Sequence, residues 1–305
     1  MDDLVYVIFL GKKPLDMRVH HLNITCQDFN SALPKFIRLY GFSLCGKWTK
    51  HRYTNCTEGV QSISSRKPSA SREQYVLRQN NIIFTLSEDK TISSDTINDV
   101  AFEVDSINQC CERVIEEGGC VLERKCLISC SNTVLSREYM TDIEKVESCQ
   151  CGPVCNNYIE YAVIKSPVGN VRHTLLNLHG YKGTFLPGFT SKSSFVDTTQ
   201  NVSSNKDLVD RLDHIAFAIK KDSVTDYMEW YKYCLGFSRF MVNKRETSKG
   251  FVVYCKAEPR MKMVALGGHP CASDSLYWEG NEMELLHDDV KLVFAESLCA
   301  DCKYT

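Results

Sequence analysis

One stretch of this chain is written more than once. Val19 to Cys45 reads VHHLNITCQDFNSALPKFIRLYGFSLC, and Leu212 to Met241 reads LDHIAFAIKKDSVTDYMEWYKYCLGFSRFM. Aligned, His21 falls on His214. Each copy runs from an apolar strand through a polar turn into an amphipathic helix. In the first helix Leu33, Phe36, Ile37 and Tyr40 are spaced to share a face; in the second, Tyr227, Trp230, Tyr231 and Leu235 are. Each helix ends in Gly-Phe, Gly41-Phe42 or Gly236-Phe237, with glycine suited to a left-handed cap and phenylalanine opening a strand.

A third copy begins at Asn98, NDVAFEVDSINQCCERVIEEGGCVLE, with a strand over Val100 to Val104 and a helix over about Ile107 to Glu117 that Gly118-Gly119 stops. Strand-like stretches follow every copy: Ile82 to Leu86, then Tyr158 to Lys165 with Val171 to Leu178, then Phe251 to Cys255 with Met261 to Leu266. Each unit therefore reads β-α-β-β-β, an α+β organisation. Residues 62–71 and 182–207 are rich in Ser, Lys and Thr and read as loop or linker. Three units are an odd count. A sheet with one apolar face needs a partner, so the units at about 19–180 are expected to pair and the unit at 211–296 to lack a mate.

Three sets of residues resemble a known family. The paired β-α-β-β-β units resemble the vicinal oxygen chelate fold. LDHIAFAI with its helix ending CLGF, the string GYKGTFLPGF at Gly180 to Phe189, and VKLVFAESL at Val290 to Leu298 resemble the 4-hydroxyphenylpyruvate dioxygenase family, and most of all its dioxygenase-like branch. The resemblance implies an N-terminal barrel over 19–180, a linker over 181–210, and the first half of a C-terminal iron-binding barrel over 211–305, with the fourth unit not encoded before Thr305. It implies mononuclear Fe(II) held by two His and one Glu, an aromatic 2-oxo acid substrate that fills two metal positions, and O2. The implied reaction is oxidative decarboxylation and hydroxylation of 4-hydroxyphenylpyruvate to 4-hydroxymandelate, feeding the ubiquinone head group, or to homogentisate. It also implies a mitochondrial location; with no clear targeting sequence at the N-terminus, a cytoplasmic one is the other reading.

Carried over by position, His214 is the one match to an iron ligand. The family's second His and its Glu lie in strings absent here, so the chain is expected to be catalytically incompetent as it stands. The rival readings are a non-catalytic binding or dimerisation module and another vicinal oxygen chelate enzyme; the latter lacks a GYKGTFLPGF string. The apolar face left by a missing fourth unit predicts self-association through residues 211–296.

The other candidates weigh less. His21 reads as a structural relic of the repeat, and His269, His287 and Glu296 as solvated side chains. Cys126, Cys130, Cys149, Cys151 and Cys155 form C-x3-C…C-x-C-x3-C, open to a zinc reading or to scattered thiols; Cys299-x2-Cys302 is a weaker pair. Phe185 to Phe189 read as packing between the halves, and the aromatic helix face as core. A net charge of −2 gives no electrostatic case for nucleic acid. The longest apolar run, Leu4 to Leu10, is too short for a membrane span.

Overall fold

In a computed structural model the repeat becomes three modules, the first β-α-β-β-β and the other two with one strand more. It describes residues 15, 17–48, 73–130, 133–138, 158–183, 185–191, 209, 211–240, 246–247, 250–255, 258–267 and 290–298. Module one holds β1 (Met17–Cys26), α1 (Phe29–Pro34), β2 (Ser43–Trp48), β3 (Gln74–Gln79) and β4 (Ile82–Glu88). Module two holds β5 (Thr96–Val104), α2 (Ile107–Glu116), β6 (Val121–Cys130), β7 (Thr133–Glu138), β8 (Tyr158–Lys165) and β9 (Arg172–Asn177). A short β10 (Phe189–Ser191) follows. Module three holds β11 (His214–Ile219), α3 (Val224–Leu235), β12 (Ser238–Phe240), β13 (Phe251–Cys255), β14 (Glu258–Gly267) and β15 (Lys291–Ser297).

Modules one and two merge into a ten-stranded sheet, ordered β10-β2-β3-β4-β1-β5-β9-β8-β6-β7. Within each module the last strand returns parallel to the first: β4 beside β1, β9 beside β5. The two halves join where β1 and β5 pair antiparallel, Leu22 against Val100 and His21 against Ala101. Module three forms its own five-stranded sheet, β11-β15-β14-β12, with β13 continuing along β14 beyond β12.

The helix caps follow the sequence. Asp28 accepts hydrogen bonds from the Asn30 and Ser31 amides to open α1, and Ser106 accepts from the Gln109 amide to open α2. Gly236 closes α3 at φ 77°, as its place before Phe237 predicts. The first helix departs from expectation. Pro34 lies inside it, and a π-helical turn follows over Lys35–Leu39, closed by the Tyr40 amide bonding the Lys35 carbonyl at 3.2 Å. Leu33, Phe36 and Ile37 still face the core, but the wider turn swings Tyr40 out to 53% exposure, off the face its spacing predicts.

The two sheets meet through their helices. A single apolar cluster runs from Phe102, Ile107 and Val114 of module two to Phe217, Tyr231 and Phe294 of module three. Inside it lies a closed polar chain. The Val168 amide donates to Ser166 Oγ at 3.0 Å, Ser166 lies 3.1 Å from the Tyr231 hydroxyl, and that hydroxyl lies 2.7 Å from His173 Nε2. His173 Nδ1 is 3.1 Å from the Val100 carbonyl, which can only accept. The carbonyl puts the His173 proton on Nδ1, so Tyr231 donates to Nε2 and Ser166 donates to Tyr231. Every member is satisfied and His173 is neutral. Burial holds its imidazole down to about 4 and pushes the Tyr231 phenol up. Arg113 of α2 donates to the Tyr233 carbonyl at 2.7 Å and the Lys232 carbonyl at 3.3 Å, putting a cation on the C-terminal end of α3. The aromatic stripe of α3 is therefore core, as expected, with one polar function that spacing alone does not reveal.

Replacing Tyr231→Phe keeps the ring and leaves Ser166 and His173 without their shared partner. We expect a loss of about 1–3 kcal/mol in urea unfolding, the cost of orphaning buried polar groups. A variant as stable as the parent would show that the network contributes nothing to the joint.

Candidate functional site

The site builds from β11. Alternation along a strand sends Ile215, Phe217 and Ile219 into the core beside α3 and leaves His214, Ala216 and Ala218 exposed on the helix-free face. His214 Nδ1 lies 2.8 Å from Asp213 Oδ2, and Lys291 Nζ lies 3.1 Å from Asp213 Oδ1. The hydrogen bond from His214, aided by Lys291, holds the Asp213 carboxyl below the usual range, so it is ionised at neutral pH and accepts. The imidazole proton thus belongs on Nδ1, and Nε2 presents its lone pair. A carboxylate behind one ring nitrogen is how proteins orient a metal-binding histidine. Lys291 also stands over the Phe240 ring, 5.5 Å from its centre.

The parallel registers reveal which residues are equivalent. His214 stands beside Lys291 on β15, and Asp99 stands beside Arg172 on β9. Asp99 is therefore the module-two counterpart of His214, as His21 is in module one. The strings DVAFEV and DHIAFAI share their AF pair in this register, which is the signal that could have found Asp99. Asp99 is buried; Thr174 bonds it through its hydroxyl at 2.6 Å and its amide at 3.0 Å, while burial raises its pKa.

In the N-terminal sheet the corresponding face is filled. Phe185, from the GYKGTFLPGF string, is 5% exposed and sets its ring edge-to-face with His21 at 5.0 Å and tilted against His20 at 5.5 Å. Leu178, Tyr181 and Leu186 cover Ala101, Ile159 and Leu176. β10 then pairs antiparallel with β2, Phe189 against Trp48. Phe185 and Phe189, expected between the halves, thus pack on the N-terminal sheet. The two histidines sit with Nδ1 atoms 2.8 Å apart. Burial holds His20 down to about 4, and burial together with His20 holds His21 well below its ordinary range.

Glu296 is a correction. Expected as a solvated side chain, it is fully buried, because its register beside Ile219 turns it to the helix side of the sheet. It accepts from the Asp222 amide and pairs with Lys262 Nζ at 2.6 Å. Asp222 has φ 62°, so Glu296 pins a left-handed turn between β11 and α3. Cys126 and Cys130 both lie on β6; four residues of extended strand separate them by about 13 Å, beyond what one zinc ion spans. Cys149, Cys151, Cys155, His269, His287, Cys299 and Cys302 lie outside the described residues. Among those described, no three His, Cys, Asp or Glu side chains gather as a metal-holding group, and no helix is long and apolar enough to cross a membrane.

No protein-family model matches the chain. It has curated homologues. It is 29% identical over 189 residues to the human protein named 4-hydroxyphenylpyruvate dioxygenase-like protein, covering 62% of this chain and 45% of that one. It is 24% identical to the 4-hydroxyphenylpyruvate dioxygenase of Dictyostelium discoideum, over 60% of this chain and 46% of that one. The chain thus spans less than half the length of these relatives. Among solved structures it resembles a mutant of 4-hydroxymandelate synthase from Streptomyces coelicolor, with TM-score 0.52 at 14% identity over 93% of this chain and 63% of that one. At that identity the likeness shows the fold alone, which is the α+β vicinal oxygen chelate class that the repeat implies.

The buried neutral histidines set an acid limit. His20, His21 and His173 titrate in the folded chain below the ordinary value of 6.5. Between the folded and ordinary values the unfolded chain binds protons that the folded chain does not. Stability therefore falls as pH drops from about 6.5 toward about 4, by up to about 1.4 kcal/mol per unit for each histidine; the raised carboxyl of Asp99 opposes this. Melting curves from pH 7 to pH 5 should show the midpoint descending.

Proposed function

We propose, from this kinship with the 4-hydroxyphenylpyruvate dioxygenases, that the chain carries part of the site of an iron dioxygenase acting on an aromatic 2-oxo acid and O2, with His214 as one protein ligand. The observation that carries the reading is the His214 ring, held at Nδ1 by Asp213 with Nε2 turned free, on the first strand of module three. The proposed division is an N-terminal unit over 19–180, a connecting segment over 181–210 and the metal-bearing unit over 211–305.

Bound iron would supply the activation of O2 for decarboxylation and hydroxylation, giving 4-hydroxymandelate or homogentisate. The residues here do narrower things. His214 offers one ligand, Asp213 keeps the proton on the far nitrogen, and Lys291 steadies the carboxylate that does so. Ala216 and Ala218 leave the strand's face open beside the histidine. The described residues fit one ligand position rather than a set, so no catalytic step is assigned to them. That same observation favours a second reading, in which these 305 residues alone bind without turnover.

Co(II), standing in for Fe(II), should bind in a His214-dependent way, at less than one ion per chain. Adding 4-hydroxyphenylpyruvate should tighten it, because a 2-oxo acid fills two positions; His214→Ala should remove both effects. O2 uptake by this chain should stay at background. Binding indifferent to His214 and to 4-hydroxyphenylpyruvate would overturn the dioxygenase reading. His214-dependent O2 uptake would overturn the one-ligand form of it and direct attention to His269 and His287.

A further inference from the structure

Module three is fastened to module two through one helix. Among the described residues no strand of its sheet pairs with the ten-stranded sheet. α3 instead packs on α2, and its Tyr231 hydroxyl closes the polar chain with Ser166 and His173. Ser166 and His173 belong to module two, so these hydrogen bonds cross the joint inside the apolar cluster that both units share.

The direction of the bonds depends on one proton. With His173 neutral, Nδ1 donates to the Val100 carbonyl, Nε2 accepts from Tyr231, and Tyr231 accepts from Ser166. A proton added at Nε2 makes that nitrogen a donor too. Tyr231 must then accept from His173 and turn its own proton to Ser166, and the Ser166 proton loses the acceptor it has now. Ser166 is 1% exposed, and His173 and Tyr231 are fully buried, so water does not replace the lost bond. Nothing facing the ring balances an imidazolium. β5 offers it Phe102 and the Val100 carbonyl, and β8 sets Ile164 opposite it. The titratable groups of the shared cluster are Tyr227, Tyr231 and Cys234 on α3 and Cys110 and Cys111 on α2. Burial pushes the Cys110 thiol up to about 12 and raises Cys111 and Tyr231 in the same direction, so these stay uncharged in acid. The charged residues of the same elements lie elsewhere. Asp226, Glu229 and Lys232 of α3 and Glu112 and Glu116 of α2 are exposed. Asp99, Glu103, Lys165 and Arg172 alternate to the other face of the sheet, and Glu160 pairs with His179 at 3.3 Å. Arg113 keeps its charge and its carbonyl partners on α3 throughout.

We propose that His173 is an acid-operated latch: a proton on its Nε2 reverses the bonds to Tyr231 and Ser166, and module three undocks from module two while each sheet stays paired. Burial sets the direction. The docked imidazole is held down to about 4, against an ordinary 6.5 once undocking wets it. The undocked form therefore binds the proton more tightly. The ratio of undocked to docked chain rises about tenfold for each pH unit lost between 6.5 and about 4, and this group adds nothing further below that window. His20 and His21 respond to acid in the same direction, but they lie under Phe185 on the helix-free face of the N-terminal sheet, away from this joint. The latch stands apart from the dioxygenase reading, since His214 lies on the other face of its own sheet from α3.

Thiol labelling reads the joint. Cys110, Cys111 and Cys234 lie in the shared cluster, whereas Cys26 lies in a separate cluster beneath α1. The full chain is treated with dithiodipyridine, which reacts with thiols in acid, from pH 7 to pH 5, and the modified cysteines are located by mass spectrometry. Corrected for the reagent's rate on a free thiol at each pH, labelling of Cys234 should quicken about tenfold per pH unit. Cys26 should stay protected and far-ultraviolet circular dichroism should hold. His173→Gln keeps an amide donor and a carbonyl acceptor and has no proton to gain, so its Cys234 rate should not change with pH. Tyr231→Phe removes the bonds across the joint and should label Cys234 faster than the parent already at pH 7. A Cys234 rate in the parent that ignores pH, or one that Cys26 follows in step, would overturn the latch. So would a His173→Gln variant with the parent's pH dependence. Should that variant not fold, a Tyr231→Phe chain labelling at the parent's rate would overturn it equally.

Discussion

Everything in this chain depends on a strand returning to its starting point. In each module the last strand lies parallel to the first, β4 by β1, β9 by β5 and β15 by β11. A parallel neighbour cannot be reached by a tight turn, so the helix and the intervening strands must carry the chain around. The return fixes the register, and the register fixes which residues face the helix and which face away. A slip of one residue would exchange the two sets. His214, Asp99 and His21 are equivalent because of this constraint, and Glu296 is buried because of it.

The second constraint is how modules meet. Modules one and two share a seam of backbone hydrogen bonds, and their helix-free face is covered by the segment that carries Leu178, Tyr181, Phe185 and Leu186. Module three joins them differently, through side chains: an apolar cluster threaded by Ser166, Tyr231 and His173, with Arg113 at the end of α3. Among the described residues β11 stands at the end of its sheet, and the histidine on its helix-free face is exposed while His21 is buried.

Burial then differentiates residues at one structural position. At the three equivalent sites the chain has a buried neutral histidine, a buried carboxylate bonded by Thr174, and an exposed histidine oriented by a carboxylate. Desolvation disfavours a cation at the first, threonine satisfies the second, and Asp213 sets the tautomer at the third. One fold position thus yields two structural residues and one candidate ligand.

Much of this was legible in the sequence. The repeat, the Gly-Phe helix ends, the strands at Tyr158 to Lys165 and Val100 to Val104, and His214 at the head of a strand all follow from periodicity and local capping, which act over a few residues. Tyr40 was misjudged because Pro34 and a π turn shift the helical phase. Glu296 was misjudged because a charged residue in a strand says nothing of which neighbour will neutralise it, and Lys262 and the Asp222 amide are distant in the chain. Asp99 was missed because an aspartate does not look like a histidine until the strands are in register. The repeat and the order of strand and helix that opens each module were determined by sequence alone, whereas β3 and β7 were not read from it. Tertiary structure alone decided which helix-free face was filled, where Phe185 packs, and that Tyr231 and His173 meet, because those depend on contacts between residues tens of positions apart whose burial no local pattern encodes.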